Sequence, residues 1–146
     1  RSFGNWSLNR IANADSATKT ISGAVILSLV DSSPLPFSLD TKLSEYIPAF
    51  SGLKANITIR QAFSHTSGLV ESPAVSNASI TLQQAAAQIA GGFMTFVPGA
   101  RFDYGGTSMH AAGAVAELAG QNPWNFLFSE RIKNTVGMPG TVYTLT

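Results

Sequence analysis

Cysteine is absent from the 146 residues, which excludes disulfides, thiolate metal sites and a cysteine nucleophile together and leaves the redox compartment open. Histidine occurs only twice, too seldom for an ordinary zinc site, and no metal or organic cofactor is expected. Charge is scarce as well: Asp, Glu, Lys and Arg make up 12% of the chain against 45% apolar residues. That balance excludes disorder. With so few charges to coat it, the chain either buries apolar surface very well or belongs to something larger. Nine basic and eight acidic residues leave a net +1, and the cations are scattered, which argues against a nucleic acid or an acidic membrane as partner. No run approaches the roughly 18 unbroken apolar residues of a membrane span. Strand patterning is nearly missing, with the C-terminal TVYTL and the first ten residues as the only candidates. The first residue is Arg1, not an initiator Met, so the start is expected to be processed, truncated or engineered.

What the chain does have is well-punctuated helices, and the expected class is mainly α in one partial domain spanning 1–146. A lead-in covers 1–15, a first helix 16–30, a helical region 31–136 and an extended tail 137–146. From Ser16 to Val30 the run SATKTISGAVILSLV is apolar on nearly every side, the mark of a helix buried all round. Asp40 is placed to cap a short helix through Tyr46. Thr58 with Gln61 and Thr81 with Gln84 have capping-box spacing, and Ile57 sits where a staple residue would meet Ala62. Gly91-Gly92 ends the second of these helices. Thr107 to Ala119 is rich in Ala and Gly, which permits close backbone approach, with Gly120 as its stop. Asn122 as cap and Pro123 at the first position then open a helix that runs to Gly137.

One pattern in the first helix carries chemistry. Ser16-Ala17-Thr18-Lys19 puts a hydroxyl and an amine three residues apart, on one face of a helix. A serine needs a base to become a nucleophile, and a helix N-terminus offers unpaired N–H groups to a developing oxyanion. Lysine is a poor base at its ordinary pKa of about 10.4; bringing it near 7 takes roughly 4 to 5 kcal/mol of destabilisation of the charged form. With seventeen serines and four lysines, about half a Ser-x-x-Lys match arises by chance. A second does occur, at Ser51 and Lys54, where the flanking proline and internal glycine mark a loop decoy. A Ser-His-Asp triad built from His65 or His110 with Asp103 or Asp15 lacks the Gly-x-Ser-x-Gly elbow that would present its serine. His65 reads as a turn residue and His110 as a helix residue. Asn-x-Ser/Thr sequons at Asn5, Asn56 and Asn77 occur at near-chance frequency.

The stretches DSATKTISGAVILSLV, LDTKLSEYIPAF, ITIRQAFSHTSGL, VPGARFDYGG and AELAGQNPWNFLFSERIKNTVGM occur in the order seen in serine β-lactamase-like hydrolases. That group comprises class C β-lactamases, DD-peptidases and related esterases, and the chain resembles it from about residue 10 onward. The resemblance implies the helical portion of an α/β fold, an antiparallel sheet with helices, from which most of the sheet is missing. It also implies that Ser16 is the acylated nucleophile, Lys19 its partner and Tyr104 the tyrosine of the family's Tyr-x-Asn motif. Lys19 and Tyr104 would then form a coupled pair, and the sequence leaves open which of them holds the proton. Gly106 stands where that motif has Asn, so the amide that contacts the lysine and the acyl group of a β-lactam or peptide is missing. The family's third motif, a Lys-Thr-Gly or His-x-Gly on an edge strand, is missing too.

Acyl transfer to Ser16 followed by hydrolysis is therefore expected, on small carboxylic esters first and β-lactam-like substrates second, in a periplasmic or secreted setting. These residues alone should be weakly active or inactive. Their other expected partner is the remainder of the fold, or a second copy meeting an exposed apolar face. A non-catalytic binding or scaffolding member of the family is the runner-up, and a helical interaction domain with an incidental Ser16 and Lys19 is the third reading.

Overall fold

In the computed structural model, which describes residues 3–7 and 10–143, the regular structure is helical, from Asp15 to Val136 with loops between the helices. In chain order the helices are α1 (Thr18–Ser32), α2 (Leu43–Tyr46), α3 (Ile59–Phe63), α4 (Leu82–Gly91), α5 (Thr107–Gly120), α6 (Trp124–Phe128) and α7 (Asn134–Val136). Among the described residues there is no strand, only isolated antiparallel bridges at Lys42 with Thr58 and Leu69 with Met94. The first residues that are described form no strand, and TVYTL falls partly outside the described residues; its first three form none.

The helix α5 is the hub, touching α1, α2, α3, α4 and α6. Its small residues make that possible. A Cβ at Gly113 would lie 3.1 Å from Leu82 of α4, and one at Gly120 would lie 2.8 Å from Leu127 and 3.1 Å from Leu29. Gly120 is thus a packing position at the end of the helix, not its stop; the left-handed residue that turns the chain is Gln121 (φ +53°). Both expected capping boxes form, Thr58 with Gln61 and Thr81 with Gln84, and Ile57 and Ala62 are fully buried.

Further boundaries differ from the sequence reading. The cap of α2 is Lys42, whose N–H donates to the Glu45 carboxylate at 2.9 Å, while Asp40 instead pairs with Arg60 at 2.9 and 3.0 Å. The cap of α6 is Pro123. The Trp124 N–H donates to Glu117 on α5 at 2.8 Å, and Asn122 turns back to donate to the Gly120 carbonyl. The expected single helix from Pro123 to Gly137 is interrupted by a π turn over Ser129–Lys133. That turn includes Arg131, whose guanidinium sits on the C-terminal end of α1, donating to the Ser28 carbonyl (2.9 Å) and the Ser32 carbonyl (2.8 Å). A cation on orphan carbonyls complements the helix dipole.

The first helix begins later than its apolar pattern implies: Asp15–Ala17 form a 3₁₀ turn and the α-helix starts at Thr18. Nor is it buried all round. Val25, Ile26 and Leu29 are enclosed, whereas Leu27 is 57% and Val30 37% exposed, one turn apart on the same side. An apolar stripe is thus left open on α1. At the N-terminal half of the helix, Tyr143 holds the last of the described residues: its hydroxyl meets Ser22 Oγ at 2.7 Å and donates to the Thr18 carbonyl at 3.3 Å. The ring packs edge-on against Trp124 and Phe128.

Candidate active site

The first turn at Ser16 meets a loop from the far side of the sequence. Lys19 Nζ donates to Ser16 Oγ at 3.2 Å, as the spacing demands. From 88 positions away, the Tyr104 hydroxyl donates to the same oxygen at 2.7 Å. The ammonium also stands 4.9 Å from the centre of the Tyr104 ring. All three predicted site residues therefore converge on one oxygen at an open surface, with Ser16 and Tyr104 exposed and Lys19 half-buried.

Tyr104 is brought there by the backbone of two paired segments. Gly99 N–H donates to the Thr66 carbonyl (2.7 Å), Thr95 to Gly68 (2.9 Å) and Val70 to Phe93 (3.3 Å). Gly68 lies at φ +79°, and a Cβ there would be 2.1 Å from the Phe96 carbonyl oxygen. Both the conformation and the approach require glycine, which is the physical content of the HTSGL stretch. Just upstream, His65 is left-handed (φ +56°). Its carbonyl accepts from Asp103 N–H at 2.8 Å, and its Nδ1 accepts from Gly105 N–H at 3.4 Å.

The sequence reading missed the part played by Glu71. This carboxylate accepts from Gly106 N–H (3.1 Å), Thr107 N–H (3.4 Å) and the Thr107 hydroxyl (3.0 Å). It thereby satisfies the first donors of α5, whose own cap residue is a side-chainless glycine. No local signal marks it, because it stands 36 residues before the first residue of the helix it caps. Gly106 has no side chain, so no amide reaches Lys19 from that position; a Cβ there would lie 3.1 Å from Val75 and 3.4 Å from Glu71.

The neighbouring Lys19 ammonium, followed by the Ser16 hydroxyl, holds the Tyr104 pKa below its ordinary value. Partial burial, and then the charge of Lys19, push the His65 pKa down, which keeps the ring neutral and its Nδ1 an acceptor.

The other candidates sit elsewhere. Lys54 is bound to the Ala90 and Gly92 carbonyls at the end of α4, a structural role that removes Ser51-x-x-Lys54 from consideration. It lies in a short 3₁₀ turn, not a loop. His110 rides on α5 with Nδ1 at 3.1 Å from the Gly106 carbonyl oxygen. Among the described residues no group of His, Asp and Glu could hold a metal ion, and no helix is long and apolar enough to cross a membrane.

A mainly helical body with Ser16 in the turn before α1 has clear relatives among solved structures. A Bacteroides dorei protein assigned to the β-lactamases superposes with a TM-score of 0.84 at 35% identity, over 95% of this chain and 42% of its own. A penicillin-binding protein from Bacillus halodurans gives 0.73 at 25% identity, covering 88% of this chain and 41% of its own. EstCE1, a hydrolase with promiscuous acyltransferase activity, gives 0.72 at 23% identity over 84% and 36%, a likeness of fold. The fold is that of β-lactamases and penicillin-binding proteins, and only part of it is present: the chain spans well under half the length of these relatives. The β-lactamase family matches residues 3–146, and the chain belongs to that family, one of serine hydrolase type. No curated protein matches it.

Proposed function

We propose that these residues carry the nucleophile of a serine hydrolase that acts on small carboxylic esters. The observation behind this reading is the convergence of Lys19 Nζ and Tyr104 OH on Ser16 Oγ at 3.2 and 2.7 Å. With Lys19 as an ammonium, Tyr104 in its phenolate form accepts the Ser16 proton while Oγ attacks the ester carbonyl carbon. The C–O bond to the leaving alkoxide breaks, and Tyr104 returns the proton to that oxygen. Water then gives its proton to Tyr104, attacks the acyl carbon and releases Ser16, which regains the proton.

In this reading the Ser16 N–H is one oxyanion donor, and the second comes from the sheet portion of the family fold. Loss of one such donor typically lowers turnover about 100- to 1000-fold, so the 146 residues by themselves are expected to hydrolyse esters very weakly or not at all. The choice of ester over β-lactam rests on Gly106, since a simple acyl group needs no amide contact. The expected setting remains periplasmic or secreted.

The test compares a short-chain aryl ester and a chromogenic cephalosporin on the intact protein and on Ser16→Ala. Ester hydrolysis that disappears in Ser16→Ala supports the reading. Faster turnover of the cephalosporin defeats the substrate assignment, and ester hydrolysis unchanged by the substitution defeats the nucleophile. Absence of turnover on either substrate, with Ser16 still unacylated, would favour a non-catalytic binding member of the family.

A further inference from the structure

Tyr104 lies on an exposed loop that ends in Gly105 and Gly106, so its own backbone does little to hold a phenol in one place. A freely rotating side chain would lose part of any advantage that comes from a fixed geometry. A direct restraint on this loop comes from a residue 39 positions earlier in the chain, His65. The ring of His65 packs on Tyr104 with centroids 4.6 Å apart and meets the edge of Phe102 at 5.7 Å. Its carbonyl takes the Asp103 N–H at 2.8 Å, and its Nδ1 takes the Gly105 N–H at 3.4 Å. One side chain and one peptide thus grip every residue from Phe102 to Gly105.

Resting on the reading of Ser16 and Tyr104 above, we propose that His65 is a positioning residue, which clamps the 102–105 segment so that the Tyr104 oxygen stays on Ser16.

The backbone of His65 is itself unusual. A positive φ in a residue other than glycine is uncommon and carries strain, and here it aims the carbonyl at Asp103 and the ring at Tyr104 together. The residue is anchored from behind, because the Thr66 N–H donates to the Gln61 carbonyl of α3 at 2.9 Å. The position therefore calls for a side chain that tolerates the left-handed region, presents an acceptor close to its own backbone and offers a flat face to a phenol. A neutral imidazole protonated on Nε2 meets all of these. Asparagine meets the first two, since it is at home in the left-handed region and its Oδ1 reaches about as far as Nδ1.

The experiment uses His65→Gly and His65→Asn in the intact protein. Glycine relieves the left-handed backbone, so folding is preserved while the ring and the acceptor are lost. Two quantities are read: kcat and KM on the aryl ester, and the tyrosinate absorbance titration of Tyr104, taken as the difference between each chain and its Tyr104→Phe counterpart. His65→Gly is expected to lose on the order of 100-fold in kcat with KM changed only a few-fold, as a misplacement of about an ångström does. Its Tyr104 titration should move up toward that of an ordinary tyrosine as the phenol leaves Lys19. His65→Asn should recover most of both. An unchanged Tyr104 titration in a folded His65→Gly chain would overturn the proposal, as would an Asn variant no better than Gly. Because the titration needs no turnover, it decides the clamp even where Ser16→Ala has refuted the nucleophile.

Discussion

Replacing Gly68 with alanine tests the link between the fold and the site. Two penalties add. The backbone at φ +79° is left-handed, which costs a residue with a Cβ roughly 1 to 2 kcal/mol. The new methyl would also lie 2.1 Å from the Phe96 carbonyl oxygen, and reaching van der Waals distance requires the two segments to part by roughly 1 Å. The obstacle is backbone on both sides, so no rotamer change relieves it. That displacement stretches the flanking Gly99–Thr66, Thr95–Gly68 and Val70–Phe93 hydrogen bonds, each worth about 0.5 to 1.5 kcal/mol net. The total expected is about 3 to 5 kcal/mol, at the diagnostic end for a single substitution.

Gly52 supplies the control, because it has a similar φ of +58° and nothing within 4 Å of a built Cβ. Gly52→Ala should therefore show the conformational penalty alone, about 1 to 2 kcal/mol. The assay is urea unfolding of the intact protein followed by far-ultraviolet circular dichroism, with the two variants compared at a common slope. A Gly68→Ala chain no less stable than Gly52→Ala would refute the argument that the 66–70 and 93–99 segments are held at contact distance. Since His65 adjoins this pairing, ester hydrolysis should fall further in Gly68→Ala than in Gly52→Ala even where both are folded.

Other expectations follow from single contacts. Arg131→Ala removes the cation from the end of α1 and should destabilise the chain by about 1 to 2 kcal/mol, with the loss reduced in high salt; an unchanged unfolding midpoint would show that the carbonyls are equally well served by water. Stability should fall as pH drops below about 6.5. The fold holds His65 neutral by burial and by the Lys19 charge, so below that pH the unfolded chain binds the extra proton first, and the loss levels off below the lowered pKa. Tyr104 faces the ring, the charge of Lys19 acts on it, and Glu71 lies across Gly105 from it. His65→Asn should abolish this part of the acid dependence, and an identical pH profile in that variant would assign the effect to another group. The 146 residues expressed alone should self-associate and bind an apolar-surface dye through the open stripe of α1 at Leu27 and Val30. A monomer that melts cooperatively without binding the dye would count against an unpartnered face.

What the sequence determined by itself is whatever depends on residues a turn or so apart. The capping boxes at Thr58 and Thr81 formed as read because both partners lie within three positions of each other. Lys19 reached Ser16 for the same reason. Where a distant group competed for a local one, the reading failed. Asp40 was drawn off its expected cap by Arg60, and Glu117 took the N–H that Asn122 was expected to serve. Apolar residues on every side of α1 gave the helix but not its surroundings, since hydrophobicity records what a residue prefers to touch and not whether the partner is there. Only the tertiary structure decided that Glu71 closes α5 and that His65 grips the loop of Tyr104. Only it decided that the phenol, 88 residues from Ser16, ends on the same oxygen as the lysine. A loop has no periodicity to read, and its course is settled by the backbone contacts of segments that meet only after the chain has folded.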